Sequence, residues 1–155
     1  MKLKPSVVAY WFLAGLVLGI TVSQFASATG SAFTVSGASL AITLGSIGIG
    51  IYLLTWPILR YRLKIEKQVK PQPKRPNPFY AFRLLVLSRA ITLTGGGFIG
   101  WHLGQLVWLF SFSVAPQGLV APTLFGLGGS ALMLLGGLAG EYNCRLPKDP
   151  DGESA

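Results

Sequence analysis

The sequence predicts an all-α integral membrane protein, a four-helix bundle of two transmembrane hairpins with both termini in the cytoplasm. Charged residues make up only 12% of the 155 residues, about half their share in soluble domains. Four runs with almost no charge are each long enough to cross a hydrocarbon core of about 30 Å. All thirteen Lys and Arg lie outside or at the ends of these runs. We expect one transmembrane domain over residues 1–146 and a disordered polar tail over residues 147–155.

The first predicted span covers residues 7–25, which carry no charge. The Lys residues before it and the Ala26-Ser27-Ala28 tripeptide after it also fit a cleaved secretory signal peptide. We favour a retained helix because the apolar run is longer than the 7–15 residues usual for a signal core. The remaining topology is the same in either case.

The second predicted span covers residues 37–59 and ends near Trp56-Pro57, an interfacial aromatic residue followed by a helix-weakening proline. A basic loop over residues 60–83 follows it. The centre of this loop holds four Pro in eight residues, from Pro71 to Pro78, so it cannot be regular helix. The part before Lys70 can continue the second helix beyond the membrane.

The third and fourth predicted spans cover residues 84–110 and 119–140, joined by a short uncharged loop. The loops after spans one and three contain no Lys or Arg, whereas the two chain ends and the segment over residues 60–89 contain all of them. The positive-inside rule therefore places both termini and the basic loop in the cytoplasm, and we expect a multi-pass plasma-membrane protein. Anionic lipid headgroups, or an acidic partner surface, are the expected contacts of the basic segment: Arg60, Arg62, Lys64, Lys67, Lys70, Lys74 and Arg75. Nucleic acid is not an expected partner, because these charges flank membrane-length runs.

Small residues at helical spacing predict how the spans pack. In lipid, helices associate through close contacts at such residues. The third span carries Gly96, Gly100 and Gly104, and the fourth carries Gly126, Ser130 and Gly137. Arg89 falls on the first stripe and Glu141 on the second, at the same depth if the two helices are antiparallel. We predict a structural ion pair between them; the alternative is that Arg89 reaches lipid phosphate and Glu141 only begins the tail.

Few residues suggest chemistry. His102 and Gln105 are polar groups within the third span, which can mark a functional site; we favour packing against a neighbouring helix. The glycine pattern Gly95-Gly96-Gly97-Phe98-Ile99-Gly100 resembles a dinucleotide-binding motif, but it lies inside an apolar span without a preceding strand. Cys144, the single Cys, is either an inert thiol or an acylation site. Since no Asp precedes residue 149 and there is one His, we expect no enzyme activity, no metal site and no cofactor.

Three segments resemble a known family. They are residues 77–90 (NPFYAFRLLVLSRA), residues 100–104 (GWHLG) and residues 139–147 (AGEYNCRLP). Together they are similar to the actinobacterial membrane-protein family named domain of unknown function 3180. The resemblance implies a plasma-membrane protein and carries no activity. It places Arg83, Arg89, Glu141, Cys144 and Arg145 among the family-like residues.

Two functional hypotheses follow. We favour a non-catalytic accessory or assembly subunit of a larger membrane complex, which would have a membrane-protein partner. The alternative is a small transporter or channel that acts as a homo-oligomer. A transporter is expected to carry charges or broken helices at mid-depth, and the sequence has neither in the central part of its spans.

Overall fold

The computed structural model describes residues 4–30, 37–67, 77–111 and 117–144. These residues form four helices: α1 (Pro5–Thr29), α2 (Ala38–Glu66), α3 (Pro78–Phe110) and α4 (Gln117–Asn143). Each helix is long and apolar enough to cross a membrane, which confirms the all-α, four-span fold class. Lys70, Lys74, Arg75 and the predicted tail over residues 147–155 lie outside the described residues.

Two helices extend beyond the predicted spans into the basic segment. α2 continues through Pro57 to Glu66, and α3 begins at Pro78 rather than near residue 84. The start of α3 has a local cause, because the Asn77 side chain accepts a hydrogen bond of 3.0 Å from the backbone N–H of Phe79. Pro78 at the first helical position reinforces this start, since its missing N–H has no role there. Both ends of the 60–83 segment are therefore helical.

The helices follow the order α1–α3–α4–α2 across the bundle. Helix α1 packs on α3, α4 packs on the other side of α3, and α2 packs mainly on α4 with a small contact to α3. Among the described residues, α1 packs closely against neither α2 nor α4. Thus α3 and α4 form a directly packed hairpin, whereas the first two helices are consecutive in the chain but separated in space.

Helices α1 and α3 run parallel, as do α2 and α4. Along the first pair, Val8 lies at Gly96 and Leu16 lies at Gly104. Along α3 and α4 the order reverses, because His102 lies at Gly126 and Ser88 lies at Gly140. One end of the bundle is therefore formed by the first residues of α1 and α3 and by the last residues of α2 and α4. We call it the basic end, since it carries Lys4, Arg60, Arg62, Lys64, Lys67, Arg83 and Arg89.

Glycines allow the closest helix contacts. A Cβ atom added to Gly100 would collide with the backbone oxygen of Phe12 in α1, and one added to Gly136 would collide with the backbone oxygen of Gly48 in α2. Such backbone-to-backbone approach supplies the van der Waals contact that holds helices together in lipid. A cluster of buried apolar side chains, including Leu44, Ile51 and Leu84, fills the space between α2, α3 and α4.

Candidate functional site

A cluster of polar side chains lies between α3 and α4, away from the basic end. We call it the interior polar cluster: His102, Gln105, Thr123 and Ser130, all at most 1% exposed. His102 Nδ1 lies 2.7 Å from the Phe98 carbonyl oxygen and 3.1 Å from Ser130 Oγ. Because a carbonyl oxygen only accepts, Nδ1 carries a proton and donates it to the Phe98 carbonyl. The Ser130 hydroxyl in turn donates to the Gly126 carbonyl at 2.7 Å.

The interior polar cluster is closed by helix packing. The imidazole of His102 fills the space above Gly126, where an added Cβ would collide with its ring. Thr123 Oγ1 donates to the backbone of its own helix, to Leu119 at 2.8 Å. His102 therefore joins α3 to α4 and contacts a neighbouring helix rather than lipid.

The two predicted small-residue stripes do not face each other. Gly96, Gly100 and Gly104 of α3 lie against α1, whereas the fourth-span residues Gly126, Ser130 and Gly137 lie against the opposite side of α3. The α3 residues that meet this second stripe are His102, Thr92 and Ser88. Ser88 and Thr92 are fully buried and were absent from the predicted site. The signal for them was their spacing of four residues, which places two small hydroxyl side chains on one helix face.

Arg89 and Glu141 lie side by side near the basic end. Arg89 Nη2 is 3.9 Å from Glu141 Oε1, with side chains 27% and 3% exposed respectively. This distance exceeds the roughly 2.7–2.9 Å of a charge-assisted hydrogen bond, so the contact between these two atoms is an electrostatic one between neighbouring charges. It joins α3 to α4 where both helices reach the edge of the membrane-length segment.

Further polar contacts connect α2 to its neighbours at this end. Arg62 Nη1 donates to the Tyr142 carbonyl at 3.3 Å, and its guanidinium lies 4.9 Å from the centre of the Tyr142 ring. Asn143 Nδ2 donates to Thr55 Oγ1 at 3.2 Å, and Tyr80 donates to the Leu54 carbonyl at 3.2 Å. The sequence predicted Arg62 as a lipid or partner contact; the structure gives it a partner within the bundle.

The remaining described basic residues of the segment face outwards. Arg60 is exposed and lies 5.6 Å from the centre of the Trp56 ring, and Lys64 and Lys67 are exposed.

Cys144, just beyond α4, is 6% exposed. Burial raises the pKa of the Cys144 thiol to about 11. Since the thiolate is the nucleophilic form, this cysteine is mainly a neutral, unreactive thiol at neutral pH.

Two grooves flank α1. The α1–α4 groove has a volume of about 560 Å³ and runs between α1 and α4 over α3; its walls are formed by Pro5, Val8, Ala9, Phe12, Gly96, Ile99, Leu134, Leu138 and Glu141. The α1–α3 groove, about 230 Å³, is lined by Trp11, Ala14, Gly15, Leu18, Thr94, Gly97, Phe98 and Trp101. Neither groove could be predicted from the sequence, because both depend on which helices pack against each other. Within the part of the chain that the structure describes, no three His, Cys, Asp or Glu side chains are placed to share a metal ion.

Comparison with known proteins gives one match. The model of a family described as "Protein of unknown function (DUF3180)" matches residues 8–148. No curated protein and no solved structure gives a match.

Proposed function

The chain belongs to the DUF3180 family of proteins of unknown function, and we propose that it is a non-catalytic accessory or assembly subunit of a larger membrane complex. The observation that supports this proposal is the attachment of α1 along one flank only. Helix α1 packs on α3 and on no other described helix, and a groove lies on each side of it. A helix from a partner protein would complete this open side of the bundle.

The interior polar cluster supports a subunit more than a transporter. A transport path needs polar groups that a substrate or ion can reach at mid-depth. His102, Gln105 and Ser130 are instead at most 1% exposed and lie between packed helices. Their arrangement favours a role in holding α3 and α4 together.

The α1–α3 groove is the docking site we propose for the partner helix. Small residues, Ala14, Gly15 and Gly97, lie along it, and Trp11 and Trp101 border it. A helix with small residues on its own face can approach closely at such a place. The groove lies in the middle part of both helices, at the depth where only another transmembrane segment or lipid chains are present.

Orientation and location form part of the same proposal. We infer that the basic end faces the cytoplasm of the cell that carries this plasma-membrane protein, because Lys and Arg are retained on that side. The exposed side chains of Arg60, Lys64 and Lys67 would then meet anionic headgroups, each contributing about 1 kcal/mol before screening by salt.

A co-purification experiment tests the subunit proposal. The full chain is extracted gently from its native membrane and examined by native mass spectrometry. We expect a second membrane protein at fixed stoichiometry. The Thr94→Leu variant should reduce the amount of this partner at unchanged expression, because Thr94 is exposed in the α1–α3 groove and a larger side chain fills it.

Thr43→Leu is the matched control. Thr43 is also exposed, and its hydroxyl donates to the backbone of its own helix, to Ser39 at 2.8 Å, as Thr94 donates to Ala90 at 2.9 Å. It lies on α2, away from the groove, so its substitution should leave the partner bound. A homo-oligomer without any second protein would contradict the subunit proposal and favour the transporter or channel.

A further inference from the structure

We propose that the α1–α4 groove binds one phospholipid whose headgroup carries a primary amine. One acyl chain lies along the apolar walls, the phosphate lies near Arg89 and the first turn of α1, and the ammonium group donates to the Glu141 carboxylate. This site is distinct from the α1–α3 groove and does not depend on the proposed subunit function.

The position of the groove at the basic end of the bundle suits a lipid chain. Its lining residues run from Pro5 to Phe12 in α1 and from Leu134 to Glu141 in α4. At 1.5 Å per residue each stretch spans roughly 10 Å, within the half of a hydrocarbon core that is about 30 Å thick. The groove thus lies within a single leaflet, next to the basic end, where the headgroup of a lipid and the adjoining part of its acyl chain lie. Its volume of about 560 Å³ falls in the range of about 300–1,000 Å³ typical of small-molecule sites.

Charge is present at one end of the groove only. Glu141 forms part of its wall, and Arg89 Nη2 lies 3.9 Å from the Glu141 carboxylate. The other lining residues are apolar or glycine. This order of groups along the membrane normal, charges at the basic end and hydrocarbon beyond it, is the order of a phospholipid in a bilayer.

The signs of the charges select the headgroup. Pro5 brings the first turn of α1 to the groove, and Lys4 precedes it; that turn carries no acidic residue and Lys4 makes no side-chain capping bond. A helix N-terminus favours an anion, and Arg89 adds a guanidinium suited to phosphate. The Glu141 carboxylate would repel a purely anionic headgroup and accept hydrogen bonds from an ammonium group. Ethanolamine carries phosphate and ammonium as neighbouring opposite charges, whereas choline has no N–H to donate and glycerol has no positive charge.

Native mass spectrometry of the purified full chain tests this assignment. The delipidated protein in detergent is titrated separately with phosphatidylethanolamine, phosphatidylcholine and phosphatidylglycerol of identical acyl chains. We expect one ethanolamine lipid per chain, held about fivefold or more tightly than the choline lipid, which corresponds to about 1 kcal/mol, the contribution of one hydrogen bond. Equal retention of the three lipids would overturn the headgroup assignment.

Three variants locate the site. Ala9→Phe should reduce the binding of every lipid, because Ala9 is an exposed residue of the groove wall. Ala121→Phe is its control, an exposed alanine at the opposite end of α4, and should leave binding unchanged. Glu141→Gln should remove the preference for ethanolamine over choline.

The results for these variants distinguish a lipid from a protein helix as the occupant of the α1–α4 groove. Unchanged lipid binding in Ala9→Phe would overturn the proposal, and loss of a co-purified protein in that variant instead would identify the groove as a protein-docking site. If Glu141→Gln fails to fold, the proposal is still tested by the headgroup comparison on the unaltered chain and by the comparison of Ala9→Phe with Ala121→Phe.

Discussion

At the scale of single residues, Arg89 and Glu141 provide the clearest test of packing at the basic end. Removing one partner of a buried ion pair costs about 3–5 kcal/mol. We expect a smaller loss here because the Arg89 side chain is 27% exposed. Arg89→Ala and Glu141→Ala should each lower the midpoint of thermal unfolding in lipid-free detergent. The double variant should lose less stability than the sum of the two, since neither charge is then left without its neighbour.

A charge exchange completes this cycle. Arg89→Glu combined with Glu141→Arg should recover part of the stability that either single reversal loses. Additive single effects without recovery would contradict an energetic coupling between the two side chains and leave Arg89 as a lipid anchor.

The sequence indicated the Arg89–Glu141 contact but not the one between Arg62 and Tyr142. The first followed from helical spacing and equal depth on two antiparallel helices. The second requires α2 to remain helical beyond the membrane-length run and to pack beside the end of α4. No local signal in the sequence states which helix lies next to α2, so Arg62 was assigned only to lipid or a partner.

At the scale of whole helices, α1 depends on its contact with α3. A Cβ atom at Gly100 would collide with the Phe12 backbone oxygen, which cannot move away as a flexible side chain can. Gly100→Ala should therefore destabilise the protein by about 1–3 kcal/mol, the usual cost of overpacking. Thermal unfolding followed by tryptophan fluorescence reports it, because Trp11 and Trp101 border the contact.

Gly128→Ala is the control for this substitution. Gly128 is a helical glycine of α4 whose added Cβ would meet no atom within 4 Å. Its replacement should leave stability unchanged or raise it slightly, since Ala favours helix over Gly. Equal effects of the two substitutions would show that helix propensity, and not contact with α1, determines the result.

Helical spacing identified the small-residue stripes but not their partners. Gly96, Gly100 and Gly104 could face either neighbour of α3, and the stripe of α4 fits any close helix. In a soluble bundle, one polar face would point to water and limit the choices. In lipid every side of a span is apolar, so the pattern does not reveal that α3 uses glycines towards α1 and hydroxyl and imidazole groups towards α4.

At the scale of the whole molecule, the fold class could be predicted because length and hydropathy alone determine a membrane span. The order α1–α3–α4–α2 could not, since the short connection from α1 to α2 suggests adjacent helices. The structure instead pairs α1 with α3 and α2 with α4, each in parallel. The separation of α1 from α4 creates the groove with Glu141 in its wall. The candidate lipid site therefore depends on how the helices of the bundle pack and not on any one segment of the sequence.

Orientation is the prediction that concerns the molecule as a whole. All thirteen Lys and Arg lie at the chain ends or in the segment over residues 60–89, so the positive-inside rule predicts that the basic end faces the cytoplasm. Single cysteines in a Cys144→Ser background test it in intact cells with an impermeant maleimide. Thr29→Cys and Gly118→Cys lie at the end of the bundle farthest from the basic end and should react. Lys67→Cys lies at the basic end and should react only after the cells are broken. All three native residues are exposed, so accessibility within the fold does not limit labelling. Reaction of Lys67→Cys alone in intact cells would reverse the orientation, and with it the leaflet that we assign to the lipid.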